Sequence, residues 1–306
     1  MGAGAIEESC HRERIAVTRR SLLAYGLMSE RPPIPEAVAR EVRQACGFAC
    51  VVCGSPLYEI HHIVPYHQVL EHDPCNLALL CPNHHTEATK ALLTEEAVRS
   101  ARSDPIALQR NSSAPYPLRF SGERCVVRFG DSDAMSIESP KRFVALMIDN
   151  LPLVGFSFDS GALLLDLLLL DDLNHIRLLS RKGLLQYSPN FWDITFEGRT
   201  LTLRDGPRRI RLCLELRPPQ EICVHHGLFL ANGIAVKVAP GGVQCLNNGS
   251  TLAFDRLCAE TVGDHQIGLA FGVSPPGLQP GISQQGISRY CKIDFDAVVK
   301  SPRPNT

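Results

Sequence analysis

The apolar positions of this chain change rhythm near residue 115. Before that point they fall at helical spacing around a block dense in Cys and His. From Pro35 the run PEAVAREVRQAC carries Val38, Val42 and Ala45 on one face, with Pro35 and Glu36 suited to a first turn and Gly47 to stop it. A helix is predicted from about Asn83 through TEATKAL. A second follows, with Thr94 as N-cap and Glu95 and Glu96 in its first turn. Beyond residue 117 short apolar runs recur, among them CVVRF, RFVALMI, ALLLDLLLL, WDITF, TLTLR, RIRLCLEL, EICV and IAVKV. Turn signals such as Glu197-Gly198, Asp205-Gly206-Pro207, Pro218-Pro219 and Asn232-Gly233 separate them. That alternation predicts a β-rich, sandwich-like domain with little helix, and no repeat marks a solenoid.

The chain therefore reads as α+β. An N-terminal arm is expected over 1–33, a compact Cys/His-rich unit over 34–110, a linker over 111–117 and the β-rich domain over 118–306. The linker expectation rests on Asn111-Ser112-Ser113-Ala114-Pro115-Tyr116-Pro117, and Trp192 in NFWD is expected in the core. A length of 306 residues allows two domains, each with a buried core. Hydrophobic content of 44% and charged content of 21% are those of a globular chain. The formal net charge of −1 excludes a uniformly basic nucleic-acid coat, so contact with DNA has to come from local patches. The opening MGAGAIEESCHRER does not read as a secretory signal, and the apolar run Ala162–Leu170 is too short to span a bilayer. A cytoplasmic location with no membrane association is the expectation.

Of the 12 cysteines, nine fall into two sets. Cys125, Cys213, Cys223, Cys245, Cys258 and Cys291 lie scattered in apolar surroundings and read as small buried hydrophobes rather than disulfides. Cys50, Cys53 and Cys81 stand at metal-ligand spacing. Cys50-Val51-Val52-Cys53 is a CxxC knuckle, and Cys81-Pro82-Asn83-His84 repeats the spacing as CxxH. Two such pairs fit tetrahedral zinc, with Cys50, Cys53, Cys81 and His84 as ligands. Four protein ligands leave no open position, so this zinc would be structural, holding a segment with few large apolar side chains. His61, His62 and His85 remain over. His61 and His62 are adjacent at the end of an expected hairpin strand and point to opposite faces, so they should not share one role.

The sequences CGFACVVCG, EIHHIVP and NLALLCPNHH, in that order between about Arg40 and Leu92, resemble the HNH endonuclease family of ββα-metal, or His-Me finger, nucleases. The resemblance implies a small zinc-stapled finger that cuts DNA with one divalent ion, Mg2+ or Mn2+. It implies His62 as general base and His61 and His85 as ligands of the catalytic metal. Asn76 would be the residue that holds the loop and helps orient the base. His61 stands where the family often has Asp, and His84 where it more often has a fourth zinc Cys. Imidazole at position 61 favours softer transition ions than an all-oxygen site would. Arg40, Arg43 and Lys90 flank the finger and are expected to meet the DNA backbone. His67 and His72 are expected to be plain loop residues, and His225-His226 structural. Such modules are often fused to a recognition or sensor domain, as in restriction or phage defence. A protein or small-molecule trigger would then act at the C-terminal domain. A zinc-stabilised DNA-binding module without catalysis is the competing reading; the intact histidines argue against it.

Overall fold

The computed structural model describes residues 31–131, 134–138, 142–247, 250–254, 267–273, 282–284, 287 and 289. Of the expected arm only Arg31, Pro32 and Pro33 fall within them; Cys258 and Cys291 lie outside.

The N-terminal unit runs α1 (Glu36–Ala45), β1 (Glu59–His62), α2 (Tyr66–Val69), a 3-10 turn (Pro74–Asn76), β2 (Leu77–Leu80), α3 (Pro82–Thr89), α4 (Glu95–Ser103) and α5 (Ile106–Gln109). α1 spans the predicted helix, and Gly47 follows it at φ +68°, a conformation that costs a β-carbon-free residue little. Thr94 Oγ1 accepts from Ala97 N at 3.2 Å and caps α4 as expected. β1 and β2 pair antiparallel, with His61 opposite Ala78 and His62 opposite Leu77. All four residues of β2 are buried. They pack with Val42, Val51, Ile63 and Val98 in a small core whose other buried members include Cys46, Cys50 and Cys81.

The C-terminal domain is two facing sheets, as the alternating runs predicted. One sheet orders β20 (Ile282–Gln284), β19 (Ile267–Phe271), β7 (Arg142–Ile148), β8 (Leu151–Asp159), β9 (Ala162–Leu170), β10 (Ile176–Arg181), β11 (Leu184–Tyr187) and β3 (Tyr116–Pro117), with β4 (Phe120–Ser121) on β9. The other orders β12 (Asp193–Glu197), β13 (Thr200–Gly206), β14 (Arg209–Arg217), β15 (Glu221–Ala231), β16 (Ile234–Ala239), β17 (Gly242–Asn247) and β18 (Ser250–Phe254). β5 (Arg124–Phe129) adds parallel to the first part of β15 and pairs with β6 (Met135–Glu138). Most neighbours are hairpin partners, which is why even turn spacing was readable. In β9, Leu163, Leu165, Leu167 and Leu169 point inward and Asp166 outward, the period of two that a strand imposes. One core joins both sheets through these leucines and Leu201, Leu203, Leu212 and Leu214. Cys125, Cys223 and Cys245 are buried and free, Cys213 is half-buried, and the reading as small hydrophobes holds for these four. Among the described residues no helix is long and apolar enough to cross a membrane.

The seam between the two units overturns three expectations. Residues 111–117 are not a free linker. Ser113 N donates to Tyr187 O at 2.8 Å, Ala114 N donates to Gly54 O at 2.7 Å, and Tyr116–Pro117 is itself a strand on β11. Buried backbone has to satisfy its polar groups, and here it does so on both sides at once. Arg43 is not free for DNA. It is buried, its Nε and Nη2 donate to the two oxygens of Asp193 at 2.8 and 2.9 Å, and Nη2 also reaches Glu36. Trp192 is half-buried rather than core, with the Arg40 guanidinium 4.4 Å above its ring. Gln44 Nε2 donates to Trp192 O at 2.6 Å and the Tyr58 hydroxyl to Ile194 O at 3.0 Å. Phe48, at φ 57°, sends its side chain into the core of the β domain, and its carbonyl accepts from the buried Tyr187 hydroxyl at 2.7 Å.

Candidate functional site

The CxxC turn and the start of α3 bring four ligand atoms together. The Sγ atoms of Cys50, Cys53 and Cys81 and a ring nitrogen of His84 all lie within 4.8 Å of one another. Cys53 and Cys81 are 3.8 Å apart at sulfur, and His84 Nδ1 stands 3.4 Å from Cys50 Sγ and 3.2 Å from Cys81 Sγ. A tetrahedron with zinc–sulfur bonds of about 2.3 Å has sulfur–sulfur edges of roughly 3.8 Å, so the set fits zinc. The turn also favours thiolate. Cys50 is pushed down to about 4 by the hydrogen bond from the Cys53 thiol, against burial, with backbone amides of Cys81, Cys53 and Val52 assisting. On the far side of the His84 ring, Nε2 lies 4.0 Å from Glu87, a carboxylate placed to orient it.

β1 carries His61 and His62 to opposite faces, as strand geometry requires, yet both border one open cleft of about 520 Å³. His85, one turn into α3, also borders it, as do Tyr66 and Arg31. The His61 and His85 rings meet edge to face with centroids 5.0 Å apart. Burial, and then neighbouring His85, hold the His61 pKa down, so its ring offers a lone pair near neutral pH. His85 Nδ1 is 3.9 Å from Glu59. Two imidazoles, one of them backed by a carboxylate, are a donor set that fits a divalent transition ion.

His62 is 7% exposed. Burial first, then the positive Arg31 and the neighbouring His72, push its pKa down to about 4, so the ring is neutral near pH 7. Its Nδ1 faces Arg31 Nη2 at 2.9 Å and its Nε2 faces His72 Nδ1 at 3.0 Å. Asn76 does not border the cleft. Its Oδ1 accepts from Val64 N at 2.8 Å and its Nδ2 donates to Val64 O at 2.9 Å, which closes the loop after β1. Asn76 thus reaches His62 through the backbone alone.

Of the expected DNA-facing cations, Lys90 ends α3 exposed, while Arg40 and Arg43 belong to the seam. His67 is exposed, but on the short helix α2 rather than in a loop; His72 lies in a loop, as expected, yet contacts His62. His225 stays in the β domain, its Nε2 3.0 Å from Glu215. Three neighbours of the cleft escaped the sequence reading. Glu59 carried a signal, because it sits two residues before His61 and so shares its strand face. Arg31 and His72 carried none, since chain folding alone brings them to His62.

The profile of the HNH endonuclease family matches residues 50–91. Neither the curated proteins nor the solved structures give a match to the chain. The matched segment spans the four zinc-type ligands, the three histidines of the cleft and Asn76.

Proposed function

We propose that this protein is a metal-dependent endonuclease that hydrolyses DNA phosphodiester bonds at the cleft between β1 and α3. The observation that carries the reading is the convergence of His61, His62 and His85 on one open cleft beside a zinc-type cluster, inside a segment of HNH family. Cys50, Cys53, Cys81 and His84 would hold a zinc ion that braces the finger. His61 and His85 would hold a divalent ion, Mg2+ or Mn2+ in this reading, which would supply charge to polarise the phosphate and stabilise the departing 3′ oxygen.

The chain's own residues supply the rest. His62, neutral at pH 7, accepts the proton of the attacking water at Nδ1. Arg31 covers that nitrogen in the free protein. A phosphate oxygen is the stronger acceptor for a guanidinium, so arriving substrate draws Arg31 away and leaves Nδ1 to water. Asn76, by clamping Val64, keeps the turn after β1 from carrying His62 out of place. Lys90 adds charge for the backbone. A finger coupled to a larger β domain suits restriction or phage defence, with that domain selecting the target or answering a trigger.

Plasmid nicking with added Mg2+ or Mn2+ tests the reading. His62→Ala should lose on the order of 10²- to 10⁴-fold in rate, with zinc content and melting unchanged. DNA binding without metal-dependent nicking would favour the non-catalytic module instead.

A further inference from the structure

His72 sits in the loop between α2 and the 3-10 turn, where the sequence offered it no role, yet both of its ring nitrogens are engaged. Nδ1 lies 3.0 Å from His62 Nε2, and Nε2 lies 2.9 Å from the carbonyl of Pro32. The Tyr66 ring stacks on it at 4.9 Å between centroids with an interplanar angle of 28°, and meets His62 edge on at 5.6 Å. His72 is therefore fixed in plane and in direction.

The partners dictate where the protons are. A guanidinium only donates, so Arg31 makes His62 Nδ1 an acceptor. A neutral imidazole with an acceptor at Nδ1 has its proton on Nε2, and that proton points at His72 Nδ1. His72 Nδ1 then accepts, its own proton is on Nε2, and the Pro32 carbonyl, which can only accept, receives it. Each link agrees with the next. Reversing any one would set two donors or two acceptors face to face.

We propose that His72 is a positioning residue for His62: it fixes the ring and the tautomer so that the basic lone pair is on Nδ1, the nitrogen that faces Arg31, a residue lining the same cleft. Nothing else among the described contacts of His62 Nε2 does this. Without His72 the ring can turn about its Cβ–Cγ bond or shift its proton to Nδ1, and either change removes the base without touching substrate binding. The inference rests on His62 as the base, and two independent readouts separate its failure from failure of that assignment.

The first is nitrogen NMR of the zinc-loaded full-length protein without DNA. His62 should show an unprotonated Nδ1 and a protonated Nε2; His72→Ala should give a mixed or reversed tautomer. His72→Asn, whose side-chain oxygen can accept from Nε2–H, should restore it. The second is nicking kinetics. His72→Ala should lower kcat by roughly 10- to 100-fold, the range for groups that orient a working histidine, with KM unchanged, and His72→Asn should recover most of it. A protonated Nδ1 in the parent, or a tautomer indifferent to His72→Ala, overturns the proposal whether or not the protein cuts DNA. A kcat unaffected by His72→Ala in a protein that does cut overturns it equally. If the alanine variant fails to fold, the parent spectrum alone decides.

Discussion

The small core of the N-terminal unit and the large core of the two-sheet domain differ in kind. Among the described residues the first contains no aromatic among its fully buried members and counts Cys46, Cys50 and Cys81 with its aliphatics. The second interleaves Phe129, Phe143, Phe156, Phe229 and Phe271 with leucines from both sheets. Apolar burial contributes about 25 cal/mol per Å², so a core of the second kind can stand on area, while one of the first kind is small enough for a bound metal to add folding free energy that matters. The contrast carries a rule: the part that holds the candidate site offers a few directional metal-ligand donors, and the larger part relies on many weak apolar contacts.

The strongest way to break this comparison is to remove one thiolate. Cys53→Ser should strip zinc and unfold the N-terminal unit, because binding free energies of about 10–16 kcal/mol for structural zinc are folding free energy. Metal analysis with limited proteolysis reads this; cleavage should open between residues 50 and 91 while the β domain resists. Full zinc occupancy with an intact finger would remove the distinction.

The next tests whether the seam makes the two parts one. Asp193→Ala leaves the Arg43 guanidinium buried with only the exposed Glu36, and should cost about 3–5 kcal/mol. Calorimetry should show one transition at lower temperature. Two well-separated transitions would mean the units are independent, and a fragment ending near Ser112 could then stand alone. A milder probe of the same seam is Tyr187→Phe, which leaves the Phe48 carbonyl without its hydroxyl partner and should cost about 1–3 kcal/mol by urea titration. No change would place the seam's strength elsewhere.

The smallest effect lies far from the seam. Arg289 donates to Asp149 at 2.8 Å; with amides of Val273 and Asn232 it draws the carboxyl from 3.8 down to about 2. A folded pKa below the unfolded one adds stability above about pH 4, and that stability is lost as pH falls toward 2. Arg289→Met should shrink this acid-dependent loss between pH 5 and pH 2.5 in urea midpoints, to a degree limited by solvent screening. Equal losses in both proteins would show that the pair adds nothing.

The parts legible in the sequence were those written locally. The zinc-type ligands come from two four-residue turns, α1 and α4 carry their own stop and cap in Gly47 and Thr94, and the strands announce themselves by alternation. What was not legible depends on distant partners. Arg43 resembled a solvated helix cation until Asp193, 150 residues away, claimed it. The Asn111–Pro117 run has the composition of a linker, and only its hydrogen bonds to Gly54 and Tyr187 say otherwise. His72 became part of the site through a turn whose residues predict a loop and no more.

β12 ends the order of its sheet, and the carbonyls of Ile194 within it and of Trp192 just before it are taken by Tyr58 and Gln44 of the N-terminal unit. An uncovered outer strand with open carbonyls is a template on which another chain can add. The N-terminal unit thus covers the outer edge of β12. Unfolding of the N-terminal unit would therefore bare β12, and the expected first sign is loss of solubility as molecules join through that strand.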